Sequence, residues 1–261
     1  MDSVSVSTAA GIARVTMDRP ESLNAWTPDF ARELLAALEA AVTDSDVRCV
    51  VISGAGRAFS AGADVKAPRE VLPGGEPDLA TRLREIYNPV ILSVREMPKP
   101  VIAAVNGPAA GIGCSLALGC DFIVAARSAY FLLAFVHLGL IPDGAASYMA
   151  AMRMGYTRAL EMAVLGQRIS AEDAAAYGLI NAVHDDDTLA GAVDDLAAKL
   201  AEGPTLAYGN IKRALDAGAL AGLRAQLALE PGIQQEHAAT ADFQEGVDAF
   251  REKRPAAFRG A

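Results

Sequence analysis

The stretch that most restricts the fold is residues 100–121, Pro-Val-Ile-Ala-Ala-Val-Asn-Gly-Pro-Ala-Ala-Gly-Ile-Gly-Cys-Ser-Leu-Ala-Leu-Gly-Cys-Asp. Residues 101–105 are an apolar, β-branched run bounded by Pro100 and Asn106-Gly107, which reads as a buried strand and a turn. Residues 114–119 are small and apolar and read as a helix packed inside the protein. Gly107, Gly111 and Gly113 lie between them. A strand that feeds a glycine-rich turn into a buried helix aims free backbone N–H groups at one point, where they stabilise negative charge. That charge can be a phosphate, a carboxylate or an oxyanion. The same glycines also fit a tight turn that only lets helix and strand approach.

The rest of the first half alternates strands and helices. Residues 4–7 and 12–17 alternate apolar and polar around Ala10-Gly11, a hairpin with one buried face. Thr27-Pro28 supplies a capping hydroxyl and a first-turn proline for a helix carrying Phe30, Leu34, Leu35, Leu38 and Val42 on one side. Residues 47–53 and 122–126 read as buried strands, and 79–95 as a helix bent at Asn88-Pro89. The 66–78 loop, with Pro73-Gly74-Gly75, reads as mobile or irregular. His137 to Gly144 is a loop, and helices dominate after residue 157. The expectation is an α/β fold with a helical C-terminal region, divided into a 1–200 core and a 201–261 helical part that is a candidate for oligomer contact.

Composition removes several function classes. The chain has 261 residues, 52% hydrophobic, with a net charge of −9, which disfavours nucleic acid and anionic membranes as partners. Its apolar stretches are interrupted, and Met1 to Val4 carries no signal-like core, so a cytoplasmic protein is expected. Cys49, Cys114 and Cys120 lack metal-ligand spacing and read as buried free thiols, so no metal is expected.

Chemistry concentrates in three places. The segments 59–64 and 107–115 are both small-residue turns after a buried strand, and two such turns can each lend one N–H to a single carbonyl oxygen. Each fixed donor contributes roughly 2.7–4 kcal/mol where one has been removed from an oxyanion site. The third is Asp143 in Leu-Ile-Pro-Asp-Gly, where an apolar setting raises a carboxyl toward neutrality and suits it to carry protons. Asp143 and Asp64 also fit ordinary turn and capping roles. His137, His184 and His237 are scattered and form no nucleophilic triad, and Gly107 to Gly113 lacks the dinucleotide spacing.

Four motifs in order, Phe59-Ser60-Ala61-Gly62-Ala63-Asp64, residues 100–107, Gly111-Ile112-Gly113-Cys114 and Gly139-Leu140-Ile141-Pro142, resemble the enoyl-CoA hydratase/isomerase (crotonase) superfamily over nearly the whole chain. The resemblance implies a spiral of ββα units, C-terminal helices that build trimers or dimers of trimers, and an acyl-CoA thioester ligand. Coenzyme A then arrives as part of the substrate, with no separate cofactor. By position, the Ala63 and Ile112 N–H groups would hold the thioester oxygen. Ser22, Leu23, Ala61, Asp64 and Val65 match main chain that lines the CoA, and Phe250 and Lys253 match residues that reach a neighbouring subunit's CoA.

Departures from the family pattern bear on the reaction. Family hydratases carry two glutamates where this chain has Ser115 and Phe135, while Asp143 sits where several isomerases keep an acid. The pattern is most similar to the ring-type enoyl-CoA isomerases of phenylacetate degradation. The expectation is a double-bond isomerase with Asp143 as proton shuttle. The alternatives are an enoyl-CoA hydratase, an aryl-CoA dehalogenase-type nucleophilic reaction, and a CoA-binding protein without catalysis. An apolar acyl pocket is expected from Trp26, Phe131, Leu132, Leu133 and Phe135.

Overall fold

Strand, short strand and helix follow one another along the chain, and the repeats build one parallel sheet. The structure, a computed structural model, describes residues 3–68 and 70–261; Met1, Asp2 and Arg69, which belong to the N-terminal reading and to the 66–78 loop expectation, lie outside the described residues. β1 (Val4–Ala9) and β2 (Ile12–Met17) form the expected antiparallel hairpin, followed by α1 (Pro28–Thr43). Thr27 caps α1 by accepting the Phe30 N–H at 3.2 Å. After β3 (Cys49–Gly54) comes a helical segment in three parts: α2 (Leu79–Arg82), a π turn (Leu83–Tyr87) and α3 (Asn88–Glu96). Pro89 has no N–H to continue the α ladder, and the Asn88 N–H reaches back five residues to the Leu83 carbonyl. The expected bend therefore takes the form of a wider turn.

The 100–121 stretch forms β4 (Val101–Val105), β5 (Ala109–Ala110) and α4 (Ile112–Gly119). Every residue of β4 and α4 is buried, as expected of runs with no charge. β6 (Phe122–Ala126), β7 (Tyr130–Leu132) and a 3-10 turn (Ala134–Leu138) lead to α5 (Ala146–Met154) and α6 (Tyr156–Leu165). The expected 137–144 loop thus begins inside a helical turn. β8 (Ile169–Ser170), α7 (Ala171–Ala176), β9 (Ala182–His184) and α8 (Leu189–Glu202) follow. Then come α9 (Thr205–Ala219), α10 (Leu223–Ala238) and α11 (Ala241–Glu252).

The large sheet runs β1-β2-β3-β4-β6-β9, parallel from β2 onward, and a small sheet runs β5-β7-β8. Isolated bridges Trp26–Ala63 and Ser60–Ala109 extend the small sheet toward the N-terminal repeats. Each pass of the chain thus contributes a long strand to one sheet, a short strand or bridge to the other, and a helix outside them. The chain winds as a spiral of ββα units.

Two expectations change. The hairpin does not share a buried face: β1 is an edge strand with five of six residues exposed, while β2 is buried or half-buried throughout. β2 lies between β1 and β3 and is packed by α1 and α8, so neighbours cover it on all sides. The loop after residue 66 is also less irregular than its composition implies. A Val71–Pro77 bridge and the Asp78 N–H bond to the Glu70 carbonyl, 2.9 Å, fold it into a small closed hairpin. Among the described residues no helix is long and apolar enough to cross a membrane. All three cysteines are free and buried, and burial pushes their thiols up to about 12.

Long-range polar contacts fasten the C-terminal helices to the core. Lys212 on α9 bonds the Val94 carbonyl and the Asp121 carboxylate, and Arg95 pairs with Asp121 and Asp216. On α10, Gln235 Oε1 accepts the Leu79 and Ala80 N–H groups at 3.0 and 3.1 Å and so seats the start of α2. Asn88 donates to the Leu227 carbonyl at 3.0 Å.

The two small-residue turns meet main chain to main chain, and glycine permits it. A Cβ on Gly113 would stand 2.5 Å from the Ser60 Cβ, and one on Gly62 (φ +93°) 2.9 Å from the Ala110 carbonyl oxygen. Gly113→Ala is expected to destabilise by about 1–3 kcal/mol. Gly191→Ala, in α8 where an added Cβ meets nothing within 4 Å, is expected to stabilise by about 0.5–1 kcal/mol. Urea unfolding of the two variants checks the contrast.

Candidate active site

The site begins where the two turns pair. The Ser60 N–H donates to the Pro108 carbonyl at 3.0 Å and the Ala110 N–H to the Ser60 carbonyl at 2.8 Å. Asn24, fully buried, holds the same region from behind: its amide nitrogen donates to the Ala55 and Ala58 carbonyls, and its own carbonyl accepts the Ser60 hydroxyl. On the Trp26 bridge, the Trp26 N–H donates to the Gly62 carbonyl and the Asp64 N–H to the Trp26 carbonyl. The amide between those bonds, Ala63 N–H, is left without a partner among the described residues. Ile112 opens α4, where a helix's first N–H groups have no intrahelical acceptor. Ala63 and Ile112 line one cavity of about 170 Å³, and Ala61, Gly62, Gly111 and Asp143 are on its wall. Ala63, Ile112 and Asp143 therefore line one mostly apolar space.

Asp143 is held by bonds through both its main chain and its side chain. Its carbonyl accepts the Ser115 hydroxyl at 2.8 Å, and its Oδ2 accepts from Gln234 at 3.3 Å. Its Oδ1 is buried with no partner among the described residues. Burial, and then the Glu230 carboxyl nearby, push the Asp143 carboxyl well above the usual carboxylate range, against the lowering effect of Gln234. The turn after it is left-handed at two successive residues, Gly144 at φ 60° and Ala145 at φ 57°, and the alanine carries strain there. A Cβ on Gly144 would meet Ile112 Cδ1 at 2.8 Å, so the turn after Asp143 packs against the Ile112 side chain.

Glu230 is the residue that sequence reasoning missed. It is fully buried on α10; its Oε2 accepts the Ala145 N–H at 3.0 Å and its Oε1 accepts from Gln226 at 3.0 Å. Burial pushes its carboxyl up to about 7, against these lowering hydrogen bonds. Glu230 is absent from the cavity wall and braces the Asp143 turn from behind. The sequence does carry a signal for it. Residues 223, 227, 230, 234 and 238 recur at helical spacing on one buried face, and Leu223, Leu227 and Ala238 mark that face as internal. Glu230 and Gln234 are polar groups on a face that otherwise reads as core.

The remaining sequence-derived residues divide. Ala61, Val65 and Phe250 line the cavity; Ser22, Leu23, Asp64 and Lys253 do not. Leu23 (φ 55°) lies behind the first turn, with its carbonyl accepting the Ala61 N–H at 2.9 Å. Ser22 donates to the Arg19 carbonyl, and Asp64 accepts the Lys66 N–H and stands 3.6 Å from Arg19. Phe250 lines its own chain's cavity, whereas Lys253 ends α11 at φ 56°. Gln234 and Phe250 lie beyond residue 200, so the cavity is not built from the 1–200 segment alone. The expected acyl-pocket set also shrinks to Phe135. Trp26 and Phe131 are fully buried in the core, because an apolar run does not distinguish core from cavity wall. His137 is on the wall as well.

Comparison with known proteins shows the family and the fold. The family model described as "Enoyl-CoA hydratase/isomerase" matches residues 7–261. The chain is 43% identical over 251 residues to 1,2-epoxyphenylacetyl-CoA isomerase of Escherichia coli K12, covering 96% of this chain and 95% of that protein. It is equally 43% identical, with the same coverage, to a protein of Rhodobacter capsulatus described as a probable enoyl-CoA hydratase. The crystal structure of an enoyl-CoA hydratase from Mycobacterium avium subsp. paratuberculosis superposes with a TM-score of 0.90 at 37% identity, covering 98% of each chain. Equal identity to proteins named for different reactions leaves the reaction to be argued from the residues.

The buried Glu230 generates a pH prediction. Its folded pKa, about 7, lies above the unfolded value near 4.5, so the folded chain binds the extra proton between them. Its contribution is fully present below pH 4.5 and is lost as pH rises through 7, on the order of 3 kcal/mol. Between pH 5 and pH 8, the wild type is expected to lose that much stability relative to Glu230→Gln. Urea unfolding at both pH values checks it; parallel pH profiles would show that the carboxyl titrates as an exposed one.

Proposed function

This chain belongs to the enoyl-CoA hydratase/isomerase family, and we propose that within it the protein is a CoA-thioester isomerase, shifting a double bond from Δ3 to Δ2 or within a ring-type enoyl-CoA. The observation that carries this reading is a single acid, Asp143, sharing a cavity with the Ala63 and Ile112 amides, with Ser115 and Phe135 where family hydratases carry glutamates. Phe135 contributes an apolar ring to the wall, and Ser115 donates to the Asp143 carbonyl. Addition of water needs an activated water and a separate proton donor. Isomerisation needs neither.

In the proposed mechanism the thioester oxygen accepts both backbone N–H groups. As the α or γ proton leaves, charge collects on that oxygen, where the donors act most strongly. Asp143 in its carboxylate form takes the proton and returns it to the other end of the dienolate. No atom is gained or lost. A carboxyl raised above its usual range is the stronger base when ionised and still holds its acquired proton loosely enough to return it. Ala61 and Val65 on the wall, with Ser22, Leu23 and Asp64 behind it, would follow the CoA. Exposed apolar side chains on α9 (Leu206, Ile211, Leu215) and α6 (Tyr156, Leu160, Val164) support subunit contacts of the trimer or paired-trimer kind.

The hydratase name of one relative keeps water addition as the second reading, and one assay separates the two. With 3-hexenoyl-CoA, wild-type enzyme is expected to form the conjugated 2-enoyl thioester, followed by its ultraviolet absorbance. Asp143→Asn is expected to lower kcat by about 10²–10⁴-fold with KM little changed. Unchanged turnover would reject the role of Asp143. Rapid hydration of 2-hexenoyl-CoA by the wild type would favour the second reading.

A further inference from the structure

One side-chain amide on α10 touches both the acid and the loop that carries it. Gln234 is only 1% exposed, and both ends of its amide are engaged. Its Oε1 accepts the Ile141 N–H at 3.2 Å. Its Nε2 donates to the Ile141 carbonyl at 2.8 Å and to Asp143 Oδ2 at 3.3 Å. An NH2 group has two hydrogens, so the donor end is fully used. The bond to Oδ2 is the only hydrogen bond of the Asp143 carboxyl among the described residues, since Oδ1 has no partner there.

These contacts fix which way the amide points. Turned end for end, it would set N–H groups against the Ile141 N–H, and its oxygen against the Ile141 carbonyl and Asp143 Oδ2. Every one of these hydrogen bonds would be lost where burial leaves no replacement. The main chain of Ile141 therefore decides that Asp143 meets a donor. The helix that carries Gln234 is anchored in turn: Asn88 donates to the Leu227 carbonyl, and Gln235 bonds the start of α2.

We propose that Gln234 is a positioning residue of the proton shuttle: its amide, locked by the main chain of Ile141, holds one carboxyl oxygen of Asp143 with an N–H that cannot turn away. The inference rests on the reading that Asp143 moves the proton. A base must be ionised before it can take a proton. A donor bonds a carboxylate more strongly than a carboxylic acid, so a fixed N–H favours the ionised form. Burial and the Glu230 carboxyl push the Asp143 carboxyl up, and the Gln234 bond acts against both. The other titratable side chains on the wall are Arg82, which is paired with Glu70, Tyr87 from the π turn, and His137 from the 3-10 turn. None of them bonds the Asp143 carboxyl among the described residues, and α4 offers only the Ser115 hydroxyl, which goes to the Asp143 carbonyl.

Carbon-13 NMR of protein labelled at the aspartate side-chain carboxyls titrates Asp143 directly, with Asp143→Asn identifying its signal. The midpoint is measured in wild type, Gln234→Met, Gln234→Glu and Glu230→Gln. It is expected to rise by about one pH unit in Gln234→Met, which loses the donor. It is expected to rise also in Gln234→Glu, which keeps an acceptor for the Ile141 N–H and stands in if the methionine variant does not fold. It is expected to fall in Glu230→Gln, which removes a like charge and keeps an acceptor for the Ala145 N–H. The acid limb of kcat on 3-hexenoyl-CoA is expected to follow these midpoints, with Gln234→Met recovering at high pH and KM little changed. A midpoint that stays at the wild-type value in both Gln234 variants, or a loss of kcat equal at every pH, would overturn the inference. Failure of the isomerase reading would appear instead as absent turnover of 3-hexenoyl-CoA with the midpoints still shifted.

Discussion

The contact on which the site depends is main chain against main chain. The turn through Gly62 and the turn through Gly111 lie so close that no side chain fits between them. Backbone hydrogen bonds at Ser60 and Ala110 pin one turn to the other, and Asn24 and Ser60 hold the pair from behind. The parallel sheet delivers both turns because β3 and β4 are neighbours and each ends in one of them. Donors fixed by a sheet do not have to be ordered when charge develops on a bound oxygen, which is the advantage of a preorganised site.

The acid is built differently. Asp143 precedes a left-handed turn strained at Ala145, and α10 braces it through Glu230 and Gln234. A buried carboxyl pair is unfavourable for stability: two like groups share a space from which water is excluded. Removing Glu230 from water is compensated by the Ala145 N–H and Gln226, and the result is a fixed position for the neighbouring aspartate. Local strain and buried polar groups gather where the chemistry is proposed, while β4 and α4 are buried along their whole length and carry no charged side chain.

Much of this is legible in the sequence. The strand, glycine turn and buried helix of residues 100–119 are each dictated by local chemistry, and so is the Thr27 cap. Asp143 is readable as an acid in an apolar loop. The parts that are not legible depend on long-range placement. Glu230 stands 85 residues from the Ala145 amide it accepts, and only the misplaced polarity on the buried face of α10 marks it. Trp26 and Phe131 read as pocket residues because apolar residues of core and cavity look alike in a sequence.

If the Ala63 and Ile112 amides together grip a thioester oxygen, the grip must show in the carbonyl bond itself. Infrared spectroscopy of hexanoyl-CoA carrying a carbon-13 label at its thioester carbonyl reads it directly. The carbonyl stretch of the bound thioester is expected at lower frequency than that of the same thioester in water, because two fixed donors polarise the bond more than solvent does. A bound carbonyl vibrating at or above its frequency in water would contradict the grip.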